Sequence, residues 1–216
     1  MQSVMIIKNV KVFTEDKTFE PGAIGIENGI FKNNLFDSGE IIDGEGCYAI
    51  PGLIDVHFHG CMGYDFCDGT KEAIEKIAEY EASQGVTTIV PATMTLSEEE
   101  LMKIMANGGT YENKEGAAVL AGINMEGPFI CSKKKGAQAA THIHKPDVAM
   151  FRRLQEAANG LIRLVDIAPE VEGAMEFISE LKDEVHISFA HTTADYDTAK
   201  TGYALGACHA THLYNA

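Results

Sequence analysis

From Pro51 onward the chain alternates short apolar runs with amphipathic segments of helical period, and this alternation limits the fold more than any other feature. GLIDVHFH reads as a strand, and TKEAIEKIAEYEASQG as a helix that stops at Gly85. VTTIVPAT and SEEELMKIMANG repeat the pair, with Ser97 as an N-cap and Glu100 placed to close a capping box. AAVLAGINMEG with KPDVAMFRRLQEAANG, LIRLVDIAPE with VEGAMEFISELKD, and VHISFAH with ADYDTAKTGYALG follow in the same order, and ACHATHLYNA adds a last strand. Six strands and five intervening helices predict a parallel α/β architecture, either a doubly wound sheet or a TIM barrel. The loop after the first strand, HGCMGYDFCDG, is not a GxGxxG phosphate cradle opening into a helix, which weakens the doubly wound reading. Residues 1–50 differ: short strand-like runs, broken by Pro21-Gly22, Asn28-Gly29 and Gly44, predict a small β segment ahead of a domain spanning 51–216.

The ends of the predicted strands carry the chemistry. The first ends in His57-Phe58-His59, the third in Glu126-Gly127-Pro128, the fifth in His191 and the sixth in His212. In an extended strand, residues i and i+2 share a face, so His57 and His59 project together. Each residue also has an ordinary alternative: a polar strand end for the histidine pair, a turn cap for Glu126, satisfied core histidines for His191 and His212. The carboxyl ends of strands are where a TIM barrel builds its site, and the shared placement favours one centre. Four imidazoles and one carboxylate suit zinc, iron or manganese. His186 opens its strand at the opposite face, His209 points away from His212, and His142 and His144 lie in a loop, so these four are expected outside the site. Asp55 shares the face of His57 but lies deeper, a poor candidate for a catalytic base.

Net charge narrows the partners. At −15, the 216-residue chain repels phosphodiester backbones and anionic membranes, so neither nucleic acid nor membrane is expected to bind it. No run approaches the roughly 18–20 apolar residues of a membrane span, and MQSVMIIKNVKVF lacks the parts of a signal peptide. The five cysteines are scattered without a CxxC pair, which points to a reducing cytoplasm; Cys61 and Cys67 are read as ordinary thiols.

PGLIDVHFHG, NMEGPF with the following KKKGAQ, AHTTADYD and THLYNA together resemble the amidohydrolase superfamily, and within it the N-acetylglucosamine-6-phosphate deacetylases. The resemblance covers essentially the whole chain. It implies a (β/α)8 TIM barrel with a small β-sandwich contributed partly by residues 1–50. Strand four ends VDIAPE without the lysine that many amidohydrolases carboxylate, and Glu126 stands in for it, as in the deacetylases. Carried over, Glu126, His191 and His212 would hold the principal ion, and His57 and His59 a second, with Glu126 bridging. Ala137 and Gln138 match the loop that meets the sugar, and Asn215 and Ala216 the turn that helps hold the phosphate. The implied reaction is metal-dependent hydrolysis of N-acetylglucosamine 6-phosphate to glucosamine 6-phosphate and acetate, in a homodimer. The galactosamine epimer, another sugar amide, or an inactive metal-binding fragment are the alternatives. The family's proton-transferring aspartate, at the end of strand eight, has no counterpart here. A TIM barrel takes ~250 residues and about 165 follow Pro51. The expectation is therefore a barrel truncated after about six strands, with two open edges and little activity alone.

Overall fold

The computed structural model describes residues 4–32 and 38–215, and the chain divides into two compact units, 1–52 and 53–216. The first unit is a single five-stranded sheet. β1 (Val4–Phe13) pairs antiparallel with β2 (Phe19–Glu27), which pairs with β3 (Ile30–Lys32). β4 (Glu40–Asp43) and β5 (Tyr48–Ala49) both run parallel to β1. Asn28 (φ 51°) and Gly29 (φ 77°) join β2 to β3, and positive φ at both positions is what a type I′ hairpin turn requires. The described residues of this unit form one layer. On that layer Ile30, Phe31 and Ile41 stay exposed.

The second unit carries the alternation. β6 (Leu53–Asp55) is followed by a small hairpin, β7 (Gly60–Cys61) and β8 (Tyr64–Asp65), then α1 (Lys71–Ser83) and β9 (Val86–Ile89). Next come α2 (Glu98–Gly109), β10 (Val119–Leu120), β11 (Ile123–Glu126), α3 (Val148–Ala157) and β12 (Ile162–Ile167). α4 (Ala174–Leu181), β13 (His186–Phe189), α5 (Tyr196–Leu205) and β14 (His209–Ala210) complete the order. β6, β9 and β10 pair in parallel, as do β11 through β14. β10 and β11 are one strand bent at Ala121-Gly122, and an Ala92–Asn124 bridge joins the two sets. The outcome is six consecutive parallel strands with five helices between them. Among the described residues, β6 and β14 each pair on one side only.

Period and capping explain the elements. The Ser97 hydroxyl accepts from the Glu100 amide, and the Glu100 carboxylate accepts from the Ser97 amide, closing the capping box of α2. Leu101, Ile104, Met105 and Gly108 then fall on one buried face. On β12, Val165 and Ile167 join the apolar core beneath the helices, while Leu164 and Asp166 occupy the alternate face. That face is polar toward the carboxyl ends of the strands: Thr211 donates to Asp166 at 2.8 Å, and the Ser188 hydroxyl lies 2.8 Å from that of Thr211. A pocket of about 260 Å³ is bordered by Val56, Val90, Leu164 and Cys208, with Arg163, His186 and His209 also on its border. No helix among the described residues is long and apolar enough to cross a membrane.

Candidate metal centre

β11 delivers Glu126 to the carboxyl end of the parallel strands, where it is 1% exposed. Gly127 follows with φ +81°, and a side chain there would collide with Thr95 Oγ1, so only glycine lets the chain turn away at once. Four imidazoles close on this carboxylate. His191 Nε2 and His212 Nε2 each lie 2.9 Å from Oε1, His57 Nε2 lies 3.6 Å from Oε1, and His59 Nε2 lies 3.1 Å from Oε2. Ligand atoms of His57, Glu126 and His212 all fall within 4.8 Å of one another.

Sequence reasoning placed these side chains together for a partly different reason. β6 ends at Asp55, so His57 and His59 are not alternate residues of a strand. They sit on a stretch that follows the strand edge: the Val90 amide donates to Asp55 O and the Ala92 amide to Phe58 O. Asp55 itself accepts from the His57 amide, a structural task. His191 (φ 48°) and His212 (φ 53°) also lie just past their strands, both in the left-handed region. Histidine visits that region more readily than most residues, and here it swings the ring back over the strand ends.

Backbone carbonyls orient two of the rings. His191 Nδ1 donates to Lys134 O at 2.7 Å, and His59 Nδ1 donates to Ala92 O at 3.3 Å. A carbonyl only accepts, so each ring carries a proton on Nδ1 and aims Nε2 at Glu126. Burial pushes the Glu126 carboxyl up, but the close approach of His191, His59 and His212 and the charge of His57 outweigh it and hold the group well below the usual carboxylate range. The proximity of Glu126 raises His59 and His191 in turn, whereas burial lowers His57.

The donor set fits a divalent ion. His57 Nε2 and Glu126 Oε2 are buried without a hydrogen-bond partner, although His59 Nε2 is near Oε2, and both atoms face the cluster. Buried polar atoms are seldom left so, and an N/O set of this kind is suited to zinc, iron or manganese.

The remaining candidates divide. Gln138 is buried, and its Oε1 accepts from the Thr95 amide, so that oxygen braces the loop. Ala137 is exposed beside Gly136, where an added Cβ would lie 3.6 Å from the His191 ring. Asn215 is exposed in a turn, its amide donating to His212 O at 2.6 Å; Ala216 lies outside the described residues. His142, His144, His186 and His209 stay outside the cluster. All five cysteines are free, and burial pushes the Cys67 thiol up to about 12. Sequence reasoning missed Asn124, 2.9 Å from His57 Nδ1, and Asp166, whose Oδ2 lies 3.9 Å from the same nitrogen. Burial pushes Asp166 up to about 7. A signal existed: an acid inside the apolar run LIRLVDIA, and an amide inside GINM, each on an otherwise buried strand.

The class follows from fold and site together: the amidohydrolase family model matches residues 48–216, and the chain belongs to that family. Within it the chain is a relative of the N-acetylglucosamine-6-phosphate deacetylases. It is 32% identical to that enzyme of Bacillus subtilis over 100% of this chain and 57% of the relative, and 31% identical to that of Bos taurus over 98% and 53%. A deacetylase variant from Mycobacterium smegmatis, solved in complex with N-acetyl-D-glucosamine-6-phosphate, superposes with a TM-score of 0.84 at 25% identity, covering 99% of this chain and 56% of that one. The chain thus spans about half the length of the relatives it matches.

Proposed function

We propose that this chain carries the metal centre of a deacetylase that hydrolyses the acetamide of N-acetylglucosamine 6-phosphate, giving glucosamine 6-phosphate and acetate. The observation that supports it best is the convergence of four histidines from three segments of the chain on one buried glutamate. The relatives' activity agrees with it. Glu126, His191 and His212 would hold the principal divalent ion and His57 and His59 a second, with Glu126 shared. When bound, such an ion polarises an amide carbonyl and lowers the pKa of water toward ~7.

The chain's own residues fix where that happens. Lys134 O and Ala92 O hold the His191 and His59 rings in register with Glu126. Glu126, kept ionised by its histidines, has no proton to give a departing amine at neutral pH, so that proton comes from another group. Gly136-Ala137 lies beside His191, which supports the reading that this loop meets the sugar. Asn215 and Ala216, next to His212 in sequence, are assigned to the phosphate by the same reading. The six parallel strands are read as the leading part of a (β/α)8 barrel, in line with the superposition on the Mycobacterium smegmatis deacetylase.

The test is acetate release from N-acetylglucosamine 6-phosphate, with and without a chelator. Chelator-sensitive release, by this chain or by one extended to the length of its relatives, is the expected result. Metal uptake with no release from either would contradict the deacetylase reading.

A further inference from the structure

Two of the rings around Glu126 have Nδ1 facing a backbone carbonyl, which accepts and never donates. His57 does not. Its Nδ1 faces the side-chain amide of Asn124 at 2.9 Å, and an amide offers a donor on one edge and an acceptor on the other. In the structure Nδ2 is the nearer atom, which places the ring proton on Nε2, toward Glu126. A protonated Nε2 cannot ligate. That arrangement also leaves Asn124 Oδ1 buried without a donor, and Asp166 Oδ2, 3.9 Å from the same Nδ1, equally without one. Two orphaned acceptors thus lie near a nitrogen that carries no proton. Turning the amide over gives Oδ1 the Nδ1 proton, and exchanges a contact from Nδ2 to Val56 O at 3.4 Å, longer than an ordinary hydrogen bond, for one between two oxygens at about that distance.

We propose that Asn124 is a positioning residue that selects the His57 tautomer: in the ion-loaded protein its Oδ1 accepts the Nδ1 proton and frees Nε2 to ligate. This rests on the metal-centre reading above. Asn124 then does for His57 what Lys134 O does for His191, with one difference. A backbone carbonyl is fixed, whereas an amide can turn, so the readiness of His57 depends on a side chain. Asp166 Oδ2 lies on the same side of the ring, 3.9 Å from Nδ1.

The test uses chelator-stripped protein titrated with zinc by calorimetry, alongside long-range proton–nitrogen correlation spectra of the histidine rings. Zinc-loaded parent is expected to show His57 protonated at Nδ1 and coordinated through Nε2. Asn124→Leu should weaken zinc binding about 10–100-fold, the usual cost of losing an outer partner of a ligating histidine. Asn124→Asp keeps an acceptor oxygen and removes the donor, so it should bind within about tenfold of the parent. Asn124→Leu that is folded by circular dichroism and binds zinc like the parent would overturn the proposal. So would Asn124→Asp as weak as the leucine variant, or a zinc-loaded His57 protonated on Nε2. If Asn124→Leu does not fold, the ring spectra of the parent decide. A parent that takes up no zinc contradicts the metal-centre reading itself, and the role of Asn124 with it.

Discussion

Glu126 and Glu170 are carboxylates held below their ordinary pKa by different neighbours, and they predict different behaviour. Glu126 is surrounded by imidazoles, so Glu126→Gln keeps the shape but removes the charge that a divalent ion needs. It should lower zinc affinity by at least about 100-fold, measured by calorimetry. Protons compete for the same atoms: His59 and His191 are raised by Glu126, so zinc uptake should release protons and weaken steadily as pH falls through the range in which these rings take up protons. Equal affinity across that range would contradict ligation by these rings. Glu170 lies in the turn after β12, where burial pushes it up but Thr192 Oγ1, the Thr193 amide and Thr193 Oγ1 outweigh that. Its folded pKa is below its unfolded one, so its stabilisation is present above about pH 4.3 and is lost as pH falls through the folded value. The Tm difference between the parent and Glu170→Gln should therefore be full near neutrality and shrink in acid. A difference independent of pH would mean the charge plays no part.

At the scale of elements, Ser97→Ala removes the hydroxyl that accepts from the Glu100 amide, and should cost about 0.5–2 kcal/mol by denaturant unfolding. Gly109 ends α2 so close to the Ala157 and Ala158 backbone at the end of α3 that an added Cβ would overlap it. Gly109→Ala should cost about 1–3 kcal/mol by forcing the helices apart. What could be read in advance follows the reach of each signal. The helices were legible because their period, their caps and the stop at Gly85 are local. The six-strand parallel order was legible because strands and helices alternate. The five candidate residues were legible because each falls near a strand end. The reason given for His57 and His59 was too simple, since β6 is short and its continuation is shaped by hydrogen bonds to the residues after β9. The ring-orienting contacts could not be read at all. Lys134 O and Ala92 O act through backbone atoms, which carry no residue-type signal, and lie 57 and 33 positions from the histidines they hold.

At the scale of the molecule, an ion at this centre ties together the end of β11 and the segments that follow β6, β13 and β14, which the chain connects only through long excursions. Binding to the folded state alone stabilises it by about 2.7 kcal/mol at a hundredfold excess over Kd. Chelation should therefore lower the Tm, and added zinc should restore it. The most direct measurement is the divalent metal content of purified protein beside that of Glu126→Gln. Between one and two chelator-removable ions per chain in the parent, and almost none in the variant, is the predicted result. A parent without bound metal under zinc-replete conditions, or a variant that keeps the parent's full complement, would contradict a hydrolytic metal centre built on Glu126.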